Sequence, residues 1–382
     1  MSRDLQSLLK EAQDQNMVPT VLAYNRIDGP GSSLDLREFQ QSLWKLPVIP
    51  SDPQQDPTME WSSGLPRTVG ITISTGTKIH AEPLKGGRIG VRSAEYGTES
   101  VSVPGDVVPT RENWLLKIVE LFGLSGVMFV LHNLQAGIQS SGLGGSATAT
   151  TGVCILANEL AGRPFSGEQL VAMASRLEQD LGVSITGTQE QSSVIFGGVR
   201  DYVWFPWGIP GNADSGYGAS IHTELMNPSG YEELEKRLAI FHSGATRAST
   251  DVNAKWMLAL TRHEGYVKHK LKINIAYRYR EGLRLRRWDD VMKSIREYRD
   301  IRTSICPAYL NGAKEILGFA DARGCVAFPL GAGGGGGILV FSPKPEAIQS
   351  LRREIASVYR EIPFKIRQRG HDVLNLPLKK GA

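Results

Sequence analysis

Gln139-Ser-Ser-Gly-Leu-Gly-Gly-Ser-Ala-Thr-Ala-Thr150 is the stretch on which the reading of this chain turns. Glycines at 142, 144 and 145 leave the backbone bare where it must wrap closely around a ligand. Beyond them Ala149, Val153, Leu156 and Leu160 recur at helical spacing. A helix therefore begins near Ser146 and points its free N–H groups back into the glycine loop, where phosphate is the natural guest. The hydroxyls of Ser141, Ser146 and Thr148 add donors, or a ligand for Mg²⁺ beside the phosphates. A glycine loop that only caps a helix would look much the same, so other segments have to decide.

Working outward, VPTVLAYNRI (18–27) reads as a strand, followed by the turn GPGSS at 29–33. The Pro-rich, aperiodic stretch from Trp44 to Pro66 reads as a long loop or lid. RTVGITIST, KIHAEPL and GRIGVRS read as successive strands of a mixed sheet; Leu115, Ile118 and Phe122 mark a helix, and VMFVLHN (127–133) is another strand. Downstream of the glycine loop, Ser166 and Gln169 form a capping box at the head of a helix whose apolar face is Leu170, Ala174 and Leu177. Strands follow around Val194 to Val199 and Leu238 to Phe241, then a mostly helical stretch from 245 to 320. The end reads as a strand (CVAFP), a glycine loop, a strand (ILVF), a helix with Ile348, Leu351, Ile355 and Val358 facing inward, and a strand (PFKIRQ). Helices set between strands of this kind predict an α+β protein of two lobes, divided between residues 1–205 and 206–382.

Bulk properties agree. A chain of 382 residues, 41% hydrophobic and 21% charged, is long enough for a pair of cores and has the composition of a globular protein. With 43 basic against 39 acidic side chains, its charge is too balanced for nucleic acid to be the main partner. The local exception runs from Lys268 to Arg287, which reads either as a solvated helix face or as the rim of an anionic site. No apolar run reaches the roughly 18 to 20 residues of a membrane span, and MSRDLQSLLKEAQDQ lacks a signal-peptide core; a cytoplasmic location with no membrane partner is expected. Cys154, Cys306 and Cys325 are scattered and sit among apolar neighbours, which marks them as buried thiols.

A second informative segment is Leu177-Glu-Gln-Asp-Leu-Gly-Val-Ser-Ile-Thr-Gly-Thr-Gln-Glu-Gln191, followed by Phe196-Gly-Gly198. Its carboxylates at Glu178 and Glu190, one closing a helix and one on the next turn, are placed to converge on one metal and one nucleophile. A third is Gly331-Ala-Gly-Gly-Gly-Gly-Gly337, between two strands. Five successive glycines cost conformational entropy, and close backbone approach is the physical reason to keep them.

These segments resemble the GHMP kinases, and most closely the branch that phosphorylates heptose 7-phosphate and fucose. Gly142-Leu-Gly-Gly-Ser-Ala147 is similar to the family's Gly-Leu-Gly-Ser-Ser-Ala, with Gly145 in place of the first serine. The resemblance implies that residues Ser141, Gly142, Leu143, Gly144, Gly145, Ser146, Ala147 and Thr148 hold the phosphates of ATP. It implies further that Ser146 and Glu178 hold Mg²⁺, and that Glu190, standing where the family has aspartate, is the catalytic base. Asn25-Arg26-Ile-Asp-Gly-Pro-Gly-Ser-Ser-Leu-Asp35 is similar to the family's first motif, with a longer turn, and implies Arg26 as a catalytic residue and Asp35 as a substrate contact. By the same resemblance Gln189, Ser243, Arg247, Gly333, Gly334 and Gly335 contact the substrate, a sugar or sugar phosphate, and Phe328 stands where relatives carry lysine. The implied fold is an N-terminal lobe like domain 2 of ribosomal protein S5 and a ferredoxin-like C-terminal lobe, with ATP and substrate between them. A homodimer is the assembly considered, with nothing in the sequence to fix it.

Two other readings stand beside this one. Gly331, Gly333 and Gly336 satisfy GxGxxG, the fingerprint of a dinucleotide-binding oxidoreductase, but a strand follows them where that fingerprint needs a helix. The substitutions at Gly145, Glu190 and Phe328 suit an ATP-binding sensor of the same fold that transfers no phosphate.

Overall fold

The computed structural model describes residues 5–36, 64–93, 97–135, 141–205, 219–245, 249–260 and 262–375. The stretch from Trp44 expected to form a lid lies outside them up to position 63. Helix α1 (Leu5–Asp14) precedes strands β1 (Thr20–Asp28), β2 (Arg67–Pro83), β3 (Ile89–Ser93) and β4 (Thr98–Ser102). Then come α2 (Trp114–Leu121), β5 (Val127–Asn133), α3 (Gly145–Leu160), α4 (Gly167–Asp180), α5 (Gln189–Phe196), β6 (Val199–Phe205) and β7 (Ala219–Met226). The remainder is α6 (Tyr231–Glu235), β8 (Leu238–His242), α7 (Ser249–Leu260), α8 (His263–Arg284), α9 (Trp288–Ile305), α10 (Lys314–Asp321), β9 (Val326–Pro329), β10 (Gly337–Phe341), α11 (Pro345–Ile355), β11 (Arg360–Glu361) and β12 (His371–Leu374).

The strands form two sheets, as the two-lobed α+β reading requires. One is eight-stranded, in the order β12-β1-β2-β5-β3-β4, with β6 pairing a separate part of β2 and β7 pairing β6. The other is four-stranded and antiparallel, β11-β8-β10-β9. Strands β7 and β12 lie beyond residue 205 yet return to the first sheet. The parallel pair β3/β5 makes that sheet mixed. Antiparallel pairing on both sides of the glycine run at 331–337 leaves no strand-turn-helix unit there, which removes the dinucleotide fingerprint.

Several boundaries differ from the sequence reading. RTVGITIST and KIHAEPL are one strand that runs through Gly76, with the register shift between Tyr24/Gly76 and Asn25/Ile73 taken up by the extra residues Ser74 and Thr75 on β2. A Cβ at Gly76 would lie 2.0 Å from the Ala23 carbonyl oxygen, so only glycine lets the two backbones meet there. Val194, Ile195 and Phe196 finish a helix, and the strand starts at Val199, after Gly197 and Gly198 have broken the helix with positive φ. The last long helix stops at Ile355, leaving Val358 66% exposed, and PFKIRQ makes only an isolated bridge between Ile366 and Ile73. The capping box of Ser166 and Gln169 is present with both of its hydrogen bonds.

Burial explains the rest. The apolar face of α3 packs on β1 and β2 so closely that a Cβ at Gly152 would lie 2.5 Å from the Ile79 side chain. All three cysteines are buried, and burial pushes the Cys154 thiol upward. The basic stretch is largely absorbed by local pairs: Lys268 with Glu264, Arg278 with Glu297, Arg284 with Glu281, and Arg286 with Glu233. Lys272 is fully buried and donates to the Ser32 carbonyl at 3.2 Å. Among the described residues no helix is long and apolar enough to cross a membrane.

Candidate active site

The glycine loop sits where β1 meets the N-terminus of α3. The Arg26 N–H donates to the Leu143 carbonyl at 3.3 Å, and Leu143 itself is fully buried, so its side chain anchors the loop in the core. Gly144 has φ +83° and lies beside Glu190: a Cβ there would stand 2.8 Å from Glu190 Cγ. At Gly145, by contrast, a Cβ would meet nothing within 4 Å, so the departure from serine at this position has no steric cause. The first helical hydrogen bond runs from the Thr148 N–H to the Gly144 carbonyl at 2.9 Å. Gly144 to Ala147, whose amides have no partner within the helix, line the cavity, which suits an anion at a helix N-terminus.

A cavity of about 730 Å³ opens beside this turn, lined among others by Arg26, Ser146, Glu190, Gly331, Trp114 and His132. On one wall Ser146 Oγ donates to Glu178 Oε1 at 2.6 Å, and Gln191 Nε2 donates to Glu178 Oε2 at 2.9 Å. Glu178 has no exposed surface, and burial pushes its carboxyl up to about 7; the neighbouring charge of Glu190 adds to this, while the Ser146 and Gln191 hydrogen bonds oppose it. A cation at the Ser146 hydroxyl would offset that penalty. Among the described residues no three of His, Cys, Asp and Glu form a metal-holding group. One carboxylate and one hydroxyl nevertheless suit Mg²⁺, which commonly keeps its other positions for water and substrate phosphates.

Next to this pair, Arg26 pairs through Nη2 with Glu190 Oε1 and donates through Nη1 to the Gly142 carbonyl at 3.1 Å. Burial disfavours the charge on Arg26, but Glu190, Asp28 and Asp35 outweigh it and hold the guanidinium more firmly protonated. Glu190 stands in the first turn of α5 and is half-buried. Its backbone is fixed from the preceding residue: Asp35 Oδ2 accepts the Gln189 N–H at 3.0 Å. Burial pushes Asp35 up to about 6, with Glu190 adding to the effect.

Ser146, Glu178, Arg26 and Glu190 are therefore brought together, as the resemblance of their motifs implies. Other expected site residues lie elsewhere in this arrangement. Thr148 is buried inside α3, and its hydroxyl is not part of the cavity wall. Asp35 and Gln189 are 3% and 1% exposed and face each other rather than the cavity. From the C-terminal glycine run only Gly331 and Ala332 line the cavity. Gly333 packs on the Tyr309 ring, the Gly334 N–H donates to the Tyr309 carbonyl at 2.8 Å, and Gly335 approaches Ala245. The run does serve close backbone approach, but to the protein's own chain: a Cβ at Gly331 would lie 2.9 Å from the Gly142 oxygen. Ser243 follows β8, its N–H donating to the Gly336 carbonyl and its Oγ accepting the Ala245 N–H, and does not line the cavity. Arg247 lies outside the described residues. Gln191 and Asp28, which contact Glu178 and Arg26, escaped the sequence reading, although Asp28 follows Arg26 by two on a strand and so shares its face.

Residues 115–198 match the family model for the GHMP kinases N terminal domain. No curated protein matches the chain. Among solved structures, the chain is similar to the Lin0012 protein of Listeria innocua (14% identity, 93% of this chain and 99% of that one, TM-score 0.72). It is also similar to Lactococcus lactis galactokinase complexed with galactose (13% identity, 97% and 100%, TM-score 0.61). A third likeness is to a D-glycero-D-manno-heptose 1-phosphate kinase from Bacteriodes thetaiotaomicron (16% identity, 93% and 98%, TM-score 0.55). The chain thus carries the GHMP kinase fold, and the resemblance read from its motifs holds over residues 115–198, which contain the glycine loop, Glu178 and Glu190.

Proposed function

We propose that the protein transfers the γ-phosphoryl group of ATP to a hydroxyl of a small molecule, with the anomeric hydroxyl of a sugar or sugar phosphate as the acceptor. The observation that carries this reading is the gathering of two polar pairs at the N-terminus of α3, Ser146 with Glu178 and Arg26 with Glu190, of which Ser146, Arg26 and Glu190 line one cavity and Glu178 is buried against Ser146. Residues 1–205 would supply the nucleotide site and residues 206–382, apart from β7 and β12 that pair in the first sheet, the second lobe, with the C-terminal glycine loop closing on the first.

In this reading the amides of the first turn of α3 and the loop from Ser141 to Ala147 hold the triphosphate. Ser146 and Glu178 are the residues that would hold Mg²⁺, whose contribution is to neutralise charge on the β- and γ-phosphates. Glu190 accepts the proton of the acceptor hydroxyl as its oxygen bonds to the γ-phosphorus. The bond from that phosphorus to the β–γ bridging oxygen breaks, and ADP leaves with the electron pair. Arg26 keeps Glu190 oriented and its guanidinium stands beside the developing charge. Such transfer depends mainly on positioning and charge, so a glutamate in place of aspartate serves if its carboxylate is held still. Here Arg26 holds the carboxylate, and the side-chain-free face of Gly144 makes room for the extra methylene.

The test is to incubate the purified protein with MgATP and a panel of hexoses, heptose phosphates, mevalonate and amino alcohols, and to follow ADP release. Release that depends on one acceptor class supports the proposal and names the class. ATP binding without acceptor-dependent release would favour the sensor reading instead.

A further inference from the structure

Asp28 belongs to neither polar pair, does not line the cavity and has no exposed surface. Its Oδ2 has no hydrogen-bond partner, a costly state for a buried carboxylate oxygen. Its other oxygen, Oδ1, serves two partners, one on β1 and one in the loop between β9 and β10. It accepts the Gly331 N–H at 2.9 Å and lies 3.5 Å from Arg26 Nη1. Arg26 is two residues away on β1, with Ile27 between them turned into the opposite core. Gly331 opens the loop that joins β9 to β10 in the four-stranded sheet.

Both partners are cavity wall. Arg26 Nη1 is shared between Asp28 and the Gly142 carbonyl, which leaves Nη2 aimed at Glu190. Gly331 is wedged between Asp28 and the phosphate loop, with room for no side chain on the Gly142 side. One oxygen atom thus sets the distance between the lobes at this point and the orientation of the guanidinium that holds Glu190. We infer that Asp28 is a positioning residue: through Arg26 and the Gly331 amide it fixes Glu190 against the phosphate loop, without touching nucleotide or acceptor. This rests on the phosphoryl-transfer reading of the site.

The experiment is Asp28→Asn, which keeps an oxygen for the Gly331 N–H and removes the charge beside Arg26. The expected result is a fall in kcat of about 10- to 100-fold, the scale set by small misplacements of reacting groups, with KM for MgATP little changed. A double-mutant cycle with Arg26→Lys separates positioning from a general loss of structure. If Asp28 acts through Arg26, the double variant is no slower than Arg26→Lys alone; multiplicative losses would show an independent effect and overturn the inference. Wild-type kcat in a folded Asp28→Asn protein would overturn it as well, with the kinase reading intact. Should Asp28→Asn fail to fold, Asp28→Ser takes its place, and failure of both would assign the residue to stability alone. An unmodified protein that transfers no phosphate to any acceptor would instead remove the reading on which the inference stands.

Discussion

Glu190→Gln is expected to lower turnover by about 10²- to 10⁴-fold, the range for loss of a general base, while MgATP still binds. The amide has nearly the shape of the carboxylate but cannot take the acceptor's proton and loses its charge pairing with Arg26. MgATP binding should survive because the α3 amides, Ser146 and Glu178 do not depend on Glu190 for their geometry: Ser146 and Gln191 hold Glu178 independently. The loss belongs in kcat and not in nucleotide affinity, and steady-state kinetics with a separate nucleotide titration checks it. Full turnover in the variant would mean that the base is another group, or that substrate phosphate takes the proton itself.

Glu178→Gln is the second large effect, and function and stability should move apart. Turnover is expected to fall by about 10²- to 10³-fold, as for removal of other electrostatic stabilisers, with the loss largest at low Mg²⁺. Thermal stability without nucleotide should hold or rise, because a fully buried carboxylate carries a desolvation cost that an amide does not. The amide can still accept from Ser146 Oγ at the position where Glu178 Oε1 now does so at 2.6 Å. Turnover across a Mg²⁺ titration, together with melting curves of both proteins, checks the two parts. A variant that is both inactive and unfolded would show Glu178 to be a structural residue first.

Much of this was legible along the chain. The helix after the glycine loop, the capping box at Ser166 and the convergence of Glu178 and Glu190 all rest on local spacing, and local spacing is what periodicity and turn chemistry report. The misreadings share a cause. Gly76 looks like a strand end until pairing with β1 carries β2 through it, and Val194 to Phe196 look like a strand until Asp35, more than 150 residues earlier by the spacing of 154 in their hydrogen bond, caps the helix at Gln189. The Asp28 to Gly331 hydrogen bond spans 303 positions. Such contacts exist only once both sheets have formed, and no window of sequence contains both partners. The glycine run shows the same limit: its need for close approach was readable, but that its neighbours are Gly142, Tyr309 and Ala245 was not.

A crystal structure of the protein with Mg²⁺ and a non-hydrolysable ATP analogue is the decisive test of the phosphate site. The β- and γ-phosphates are expected against the amides at the start of α3, the ion between them and the Ser146 and Glu178 oxygens, and the Glu190 carboxylate facing the γ-phosphate. A nucleotide bound elsewhere, or phosphates with the ion remote from both Ser146 and Glu178, would contradict it.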